Sequence, residues 1–343
     1  MIRRLRYVYV FLLALLLIAA MYIPLPYYIT KPGLVEKLEP YVKVDGGKKE
    51  NGDFMLVTVS MSQATIMKMA IAKLSKYNEI YKKEDIIEKG ESEQQYQFQQ
   101  SLLMNESKNA AIYNAYEKAN KPVKVENHGV LVINTIKGMP AFEKLQVGDR
   151  LTTVDSKSLE TADEFIKYMK TKKNGEQVKI DFERSGAIKS ETFTLQPLQD
   201  GSNRPGLGIE IATNQTLQVE PSVKIDTNRI GGPSAGLMFT LEIYNQLTQE
   251  DLTKGYEIAG TGTINSSGEI GPIGGIKQKV VAASNAGASI FFAPNEGGNQ
   301  HSNYMDAIAA AQDIHSKMKI VPVDTLEEAL LYLQTLPPIP PQK

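Results

Sequence analysis

Apolar and charged positions are spread unevenly along this chain. From Tyr7 to Thr30 no residue is charged, a run that exceeds the ~20 helical residues a bilayer core requires, and Arg3, Arg4 and Arg6 precede it. Basic residues on that side predict a cytoplasmic N-terminus with the bulk of the chain outside. A cleaved leader is the rival, but Ile18-Ala19-Ala20 puts a bulky residue where a cleavage site needs a small one. Residues 1–30 are therefore expected to form an uncleaved transmembrane anchor. Pro32 to Gly47 reads as a connector.

Beyond it the pattern changes to short alternating segments. Phe54 to Ser60 is β-branched and bounded by Gly52, which predicts a strand. Ile66, Met69, Ala70 and Leu74 recur at helical spacing within Ala64–Tyr81, and Gln99 to Ala119 carries a second helical pattern. Residues 31–120 show no catalytic constellation. Between 121 and 198 turn signals crowd together. Gly129–Asn134, Val178–Glu183 and Glu191–Leu195 read as strands, and Thr161 caps a helix with Asp163 and Glu164 in its first turn. From Pro205 to Thr335 strands and helices alternate irregularly, so the fold class is α+β. Residues 336–343, rich in proline, read as an unfolded tail.

Composition narrows the chemistry. The 343 residues suit two or three domains at ~100–200 residues each, and a net charge of −1 without basic–aromatic clusters argues against nucleic acid. There is no cysteine, and only His128, His301 and His315, with no H-E-x-x-H. Thiolate zinc sites, Fe–S clusters, disulfides and zincin chemistry are excluded, and no metal or cofactor is expected.

The central segment, Val130-Leu131-Val132 after Gly129, Gly138…Pro140-Ala141 and Leu145-x-x-Gly148-Asp149-x-Leu151, resembles a PDZ domain of the bacterial protease type. Such a domain adds an extended peptide to an open sheet edge. The resemblance implies that Val130, Leu131, Val132 and Ile133 line the groove.

The chemistry concentrates at Ile230-Gly-Gly-Pro-Ser-Ala-Gly-Leu237. Glycines and Pro233 shape a tight turn that presents Ser234 just before an apolar helical run, where free N–H groups favour an anion. A helix-capping serine is the plain alternative. A nucleophile needs a base, and with histidine scarce a desolvated lysine is the candidate. Lys277 follows a Pro-Ile-Gly-Gly turn and has Val280, Val281 and Ser284 at i+3, i+4 and i+7, whereas Lys279 has the small Ala282 and Ala283 and reads as a surface residue. Lys277 is thus the expected base.

Gly231-Gly232-Pro233-Ser234-Ala235-Gly236, Gly262-x-Ile264 and Gly271-Pro-Ile-Gly-Gly-Ile-Lys277 together resemble the proteolytic domain of Lon-type Ser-Lys peptidases (ribosomal S5 domain 2-like) over about 205–335. With the anchor and the PDZ-like unit, the layout is similar to YlbL-like, PDZ-containing Lon-like proteases of Gram-positive bacteria. The resemblance implies Ser234 as nucleophile, Lys277 as base, Thr261 bonded to the pair, and Gly232, Pro233 and Ala235 in support. It also suggests that Phe54–Ser60 joins the catalytic fold with the PDZ unit inserted. Gly231 departs from the acidic residue many Lon proteases carry there. No P-loop motif is present, so no ATP is expected, and the expected partners are polypeptides, the membrane and a homo-oligomer. Two rivals stand beside this reading. One is a catalytically silent PDZ scaffold. The other is an esterase-type hydrolase using Ser234, Asp306 and His315, since Gly232-x-Ser234-x-Gly236 also fits a nucleophile elbow.

Overall fold

In the computed structural model of the chain, residues 2–48, 50–87, 92–227 and 230–340 are described, with the side chains of 6–12, 15 and 20–22 in the first helix. That helix, α1, covers Ile2–Tyr22 and leads into β1, Pro24–Lys37. Pro24 and Pro26 cannot continue a helix, and Tyr28 and Ile29 are buried in a sheet instead. The expected uncharged span to Thr30 is therefore corrected: residues 24–30 belong to the catalytic fold. Among the described residues no helix is long and apolar enough to cross a membrane.

The chain continues through β2 (Val42–Val44), β3 (Asp53–Thr65), α2 (Ile66–Ala72), β4 (Glu79–Lys82) and the long helix α3 (Glu93–Lys118). A second sheet follows, with β5 (Val123–Thr135), β6 (Arg150–Val154), α4 (Ala162–Met169), β7 (Gln177–Arg184), β8 (Ala187–Thr194) and β9 (Ile209–Val219). The remainder comprises β10 (Val223–Ile225), α5 (Gly236–Leu247), β11 (Glu257–Gly260), β12 (Thr263–Ile264), β13 (Ile270–Gly271), α6 (Ile276–Asn285), β14 (Ile290–Pro294), α7 (Asn303–Asp313), β15 (Lys319–Val323) and α8 (Leu326–Thr335).

One sheet runs β15-β14-β11-β3-β1-β4. Its centre is the parallel pairing of β11 with β3, Ile258 opposite Phe54 and Gly260 opposite Leu56. The early strand thus lies at the centre of the sheet that β11, β14 and β15 form, and β5–β9 lie between these parts of the chain in sequence. Pro32–Gly47 is no connector: β1 runs to Lys37, and β2 pairs with β10. Phe54, Leu56, Ile258 and Phe292 bury one face of the sheet against α5, whose Leu237, Phe239 and Leu241 are fully enclosed. Met55, Ala259, Phe291 and α6 form the core on the other side.

The inserted sheet runs β9-β5-β6-β7-β8 around Val130, Val132, Leu151, Ile180 and Phe182. It claims residues expected in the proteolytic domain: β9 pairs with β5 from Ile209↔Thr135 to Val219↔Val123. The boundary moves from 205 to the end of β9. The tail expected to be unfolded also docks through residue 339. Lys254 Nζ donates to the carbonyls of Gln334 and Leu336, and Ile339 N–H bonds the carbonyl of Lys254 (2.8 Å). Residues 341–343 of that tail lie outside the described ones.

Candidate active site

The turn that carries Ser234 lies between β10 and α5 and is clamped from outside by α3. Gly232 adopts φ +86°, a conformation that disfavours a side chain, and its N–H bonds the carbonyl of Gln100 (3.0 Å). Ser107 Oγ donates to the Pro233 carbonyl (2.9 Å), and Asn114 Nδ2 donates to the carbonyl of Asn265 (2.8 Å). Gln100, Ser107 and Asn114 recur every seven residues and so share one face of α3. Gly236 must be glycine because a Cβ there would meet Ser107 Oγ at 2.9 Å and Ile264 Cγ2 at 2.8 Å. That close contact lets α3 reach the serine turn. No sequence pattern had marked α3 as part of the site.

The base expected at 277 is corrected. Lys277 points outward with about half its side chain exposed and pairs with Asp306 at 3.4 Å. Lys279 is buried, its Nζ 2.8 Å from Ser234 Oγ and 2.8 Å from Thr261 Oγ1. The reason lies in the helix. α6 starts after Gly275 in the left-handed conformation, and its deepest line is Ile276, Val280 and Ala283. Lys279 falls beside that line, at i+3 from Ile276 and i−4 from Ala283, while Lys277 lies on the far side toward α7. The small side chains of Ala282 and Ala283, read as marking a surface, instead mark where the helix packs closest.

Burial is the only cause acting on the Lys279 amine, and it lowers the pKa from 10.5 to about 7. An unpaired ammonium loses its hydration there and gains no carboxylate. Thr261 sits against Ser234 and Lys279 rather than Lys277. Its hydroxyl donates to the Ser234 carbonyl (2.9 Å), leaving its lone pairs to accept from Lys279. The Ser234 carbonyl also accepts from Gly262 N–H (2.9 Å). A neutral amine completes this set: Ser234 O–H donates to Nζ, Nζ–H to Thr261, and Thr261 O–H to the backbone. Ser234 is half-buried, hence reachable, with Ala235 and the first turn of α5 behind it. His315 and Asp306 do not partner Ser234; Asp306 is engaged by Lys277. Among the described residues no cluster of three or more acidic, histidine or cysteine side chains could hold a metal.

The groove assignment is corrected as well. Val130–Ile133 have no free edge, because β5 is bonded to β9 on one side and β6 on the other, and Val130 and Val132 are core residues. The edge strands of this sheet are β9 and β8, and it is β9 that runs beside α4. Between it and α4 lies a groove of about 490 Å³, lined by Phe165, Ile166 and Met169 on the helix side and Leu207, Ile209 and Ile211 on the strand side.

A serine hydroxyl on a buried, unpaired amine, beside a separate β-rich unit with a groove along an open strand edge, defines the class: an α+β chain with a hydrolase-like hydroxyl–amine site and a peptide-docking module. Comparison with known proteins is more specific. The sequence model of the Lon protease (S16) C-terminal proteolytic domain matches residues 221–335, and that of the PDZ domain matches 110–195. The chain therefore carries a Lon-type proteolytic domain and a PDZ domain. It is 29% identical over 146 residues to the Lon protease of Metamycoplasma arthritidis, covering 43% of this chain and 16% of that protein. Against the Lon protease of Campylobacter concisus identity is 36% over 100 residues, covering 29% and 11%. The chain thus spans only a small part of the length of these relatives. Among solved structures, the PDZ domain of the SdrC-like protein from Listeria monocytogenes is 32% identical, covering 26% of this chain and 92% of that one, with a TM-score of 0.25.

Proposed function

We propose that this chain is a membrane-anchored serine endopeptidase that works without ATP, with Ser234 as nucleophile and Lys279 as general base. The observation that carries the reading is the 2.8 Å approach of a buried lysine amine to Ser234 Oγ, with burial bringing that amine to about 7. Neutral Lys279 takes the Ser234 proton as Oγ bonds to the scissile carbonyl carbon. The tetrahedral intermediate expels the amine, which takes the proton back from Lys279, leaving an acyl-serine. Water then attacks with Lys279 again as base, releasing the acid and restoring the serine. Thr261 keeps the amine aligned throughout. Backbone N–H groups at the turn before α5 suit the developing oxyanion.

The β9–α4 groove would receive an extended segment of polypeptide substrate. The uncharged run in α1 would tether the enzyme, with both domains on the outer side, and ring-like self-assembly in the manner of Lon domains is part of the same reading. Lacking a P-loop in its sequence, the chain would favour flexible exported or membrane-adjacent polypeptides. A silent scaffold would have no use for a buried lysine aimed at a serine. The test is cleavage of an unstructured protein, without nucleotide, by the full chain in detergent. Wild type and Lys277→Ala should cut while Ser234→Ala and Lys279→Ala do not; inert wild type that also resists serine-reactive probes would favour the scaffold.

A further inference from the structure

We infer that α2 and the turn after it form a seat on the bilayer surface, holding the catalytic sheet against the membrane rather than leaving it on a tether. The inference rests on the anchor reading of α1. Only Ile23 separates the end of α1 from β1, and Pro24, the first residue of β1, lies opposite Thr65. Thr65 caps α2. The helix therefore begins level with the point where α1 leaves the bilayer, wherever the rest of the domain extends.

Its surface has the composition such a position demands. The turn of α2 continues past Ala72, since Leu74 N–H bonds the Ile71 carbonyl (3.0 Å). At 3.6 residues per turn, Ile66, Leu74, Met67 and Ile71 fall within an arc of about 140°. Leu74 is 87%, Ile71 56% and Ile66 53% exposed, with no described residue covering them. Lys73 borders the arc on one side and Lys68 on the other, while Ala72 turns inward to Ile29 and Ala64. From Ser60 to Asn78 the charged residues are Lys68, Lys73 and Lys76, in a chain whose net charge is −1; Lys76 is engaged by Asp313 of α7, which leaves Lys68 and Lys73 to edge the arc. An apolar arc edged by lysines is the pattern of a helix lying in the interface of anionic lipid, its apolar side chains among the acyl chains and its ammonium groups at the headgroups. A second apolar contact beside a single helix would also fix the height of Ser234 above the membrane, selecting substrates by distance.

The chain has no tryptophan, so single-tryptophan variants report position without background. Full-length Leu74→Trp, Leu12→Trp in α1 and Ile188→Trp on the exposed β8 edge are reconstituted into phosphatidylcholine–phosphatidylglycerol vesicles with brominated acyl chains. Leu74→Trp should lose about half or more of its emission, as expected for a side chain ~5–10 Å into the headgroup boundary. Leu12→Trp should be quenched as strongly, and Ile188→Trp should not respond. If Leu12→Trp is quenched and Leu74→Trp is not, the seat is overturned and the anchor stands. Quenching of Leu74→Trp alone leaves the seat standing and removes the anchor. Unquenched Leu74→Trp emission that shifts to the blue with protein concentration assigns the face to a second copy, and the proposal falls.

Discussion

Asp149 of the PDZ domain and Lys279 of the proteolytic domain are both buried ionisable side chains, and the two domains treat them in opposite ways. In the PDZ domain Asp149 is 1% exposed and receives Arg184 through two nitrogens, at 2.7 and 2.6 Å, plus the N–H of Gln146 at 2.8 Å. Three donors converge on its two oxygens, two of them from one guanidinium, so the carboxylate has a counter-ion in direct contact. In the proteolytic domain Lys279 is 3% exposed and meets only hydroxyls. The carboxylate is paired; the amine is left without a counter-ion, which is the arrangement that the role proposed for Lys279 requires, since it favours loss of the proton. The same contrast separates the two lysines of α6, of which only the exposed one has a carboxylate.

The sharpest way to break this comparison is to remove either member of the unpaired set. Ser234→Ala and Lys279→Met should each lower kcat/KM by about 10⁴-fold, because two groups acting as one unit fail together. Cleavage by wild type should rise with pH through about 7, as the amine becomes neutral. Stability carries an independent sign. Folded Lys279 binds fewer protons than unfolded between about pH 7 and 10.5, so wild-type stability relative to Lys279→Met should increase with pH across that window. Denaturant titrations at pH 7 and 9 decide it; an advantage of Lys279→Met that does not shrink at pH 9 would mean that the amine is charged in the fold.

On the paired side, Asp149→Ala strands Arg184 and should destabilise the PDZ domain by about 3–5 kcal/mol, read by chemical denaturation, while Ser234 keeps its reactivity toward serine probes. A smaller effect is expected at Ser107, whose hydrogen bond to the Pro233 carbonyl fixes the peptide plane that carries the Ser234 N–H. Ser107→Ala should reduce kcat about 10-fold with KM and the pH profile unchanged, a fraction of what a lost oxyanion donor costs. A changed pH profile would instead mean that it acts through Lys279. Smaller again, Ile211→Glu in the open β9 edge should raise KM a few-fold for protein substrates and leave short peptides unaffected.

How much of this was legible in the sequence follows from what each signal measures. The serine turn could be read because its glycines stand together in sequence, although only Gly232 answers a local backbone need and Gly236 answers the approach of Ser107 and Ile264 from other elements. The insertion of the PDZ unit could be read from the order of strands. The lysine that meets Ser234 could not be read from its own helical neighbours, because α6 is buried almost all round and periodicity then discriminates poorly. The line Ile276–Val280–Ala283, taken as a whole, would have pointed to Lys279. The groove was misplaced because β5 and β9 are equally β-branched and only the pairing register tells which one has a bare edge. Ser107 gave no signal at all, since a serine in a polar helix looks solvated until the partner element arrives.

The smallest expected effect is the one that tests the comparison most directly. Lys277 and Asp306 are about half exposed and 3.4 Å apart, a geometry in which solvent screening leaves ~0–1 kcal/mol. Lys277→Ala should therefore leave kcat/KM within about twofold, with folding unchanged to about 0.5 kcal/mol. Its pH profile should still rise through about 7, because desolvation and not a neighbouring cation lowers Lys279. A profile displaced to higher pH would show that the Lys277 charge reaches across the helix and adds to that lowering. Lost activity with intact folding would return the base to Lys277, and the carboxylate beside it would then have to be explained as part of the chemistry rather than as the mark of a lysine that has none.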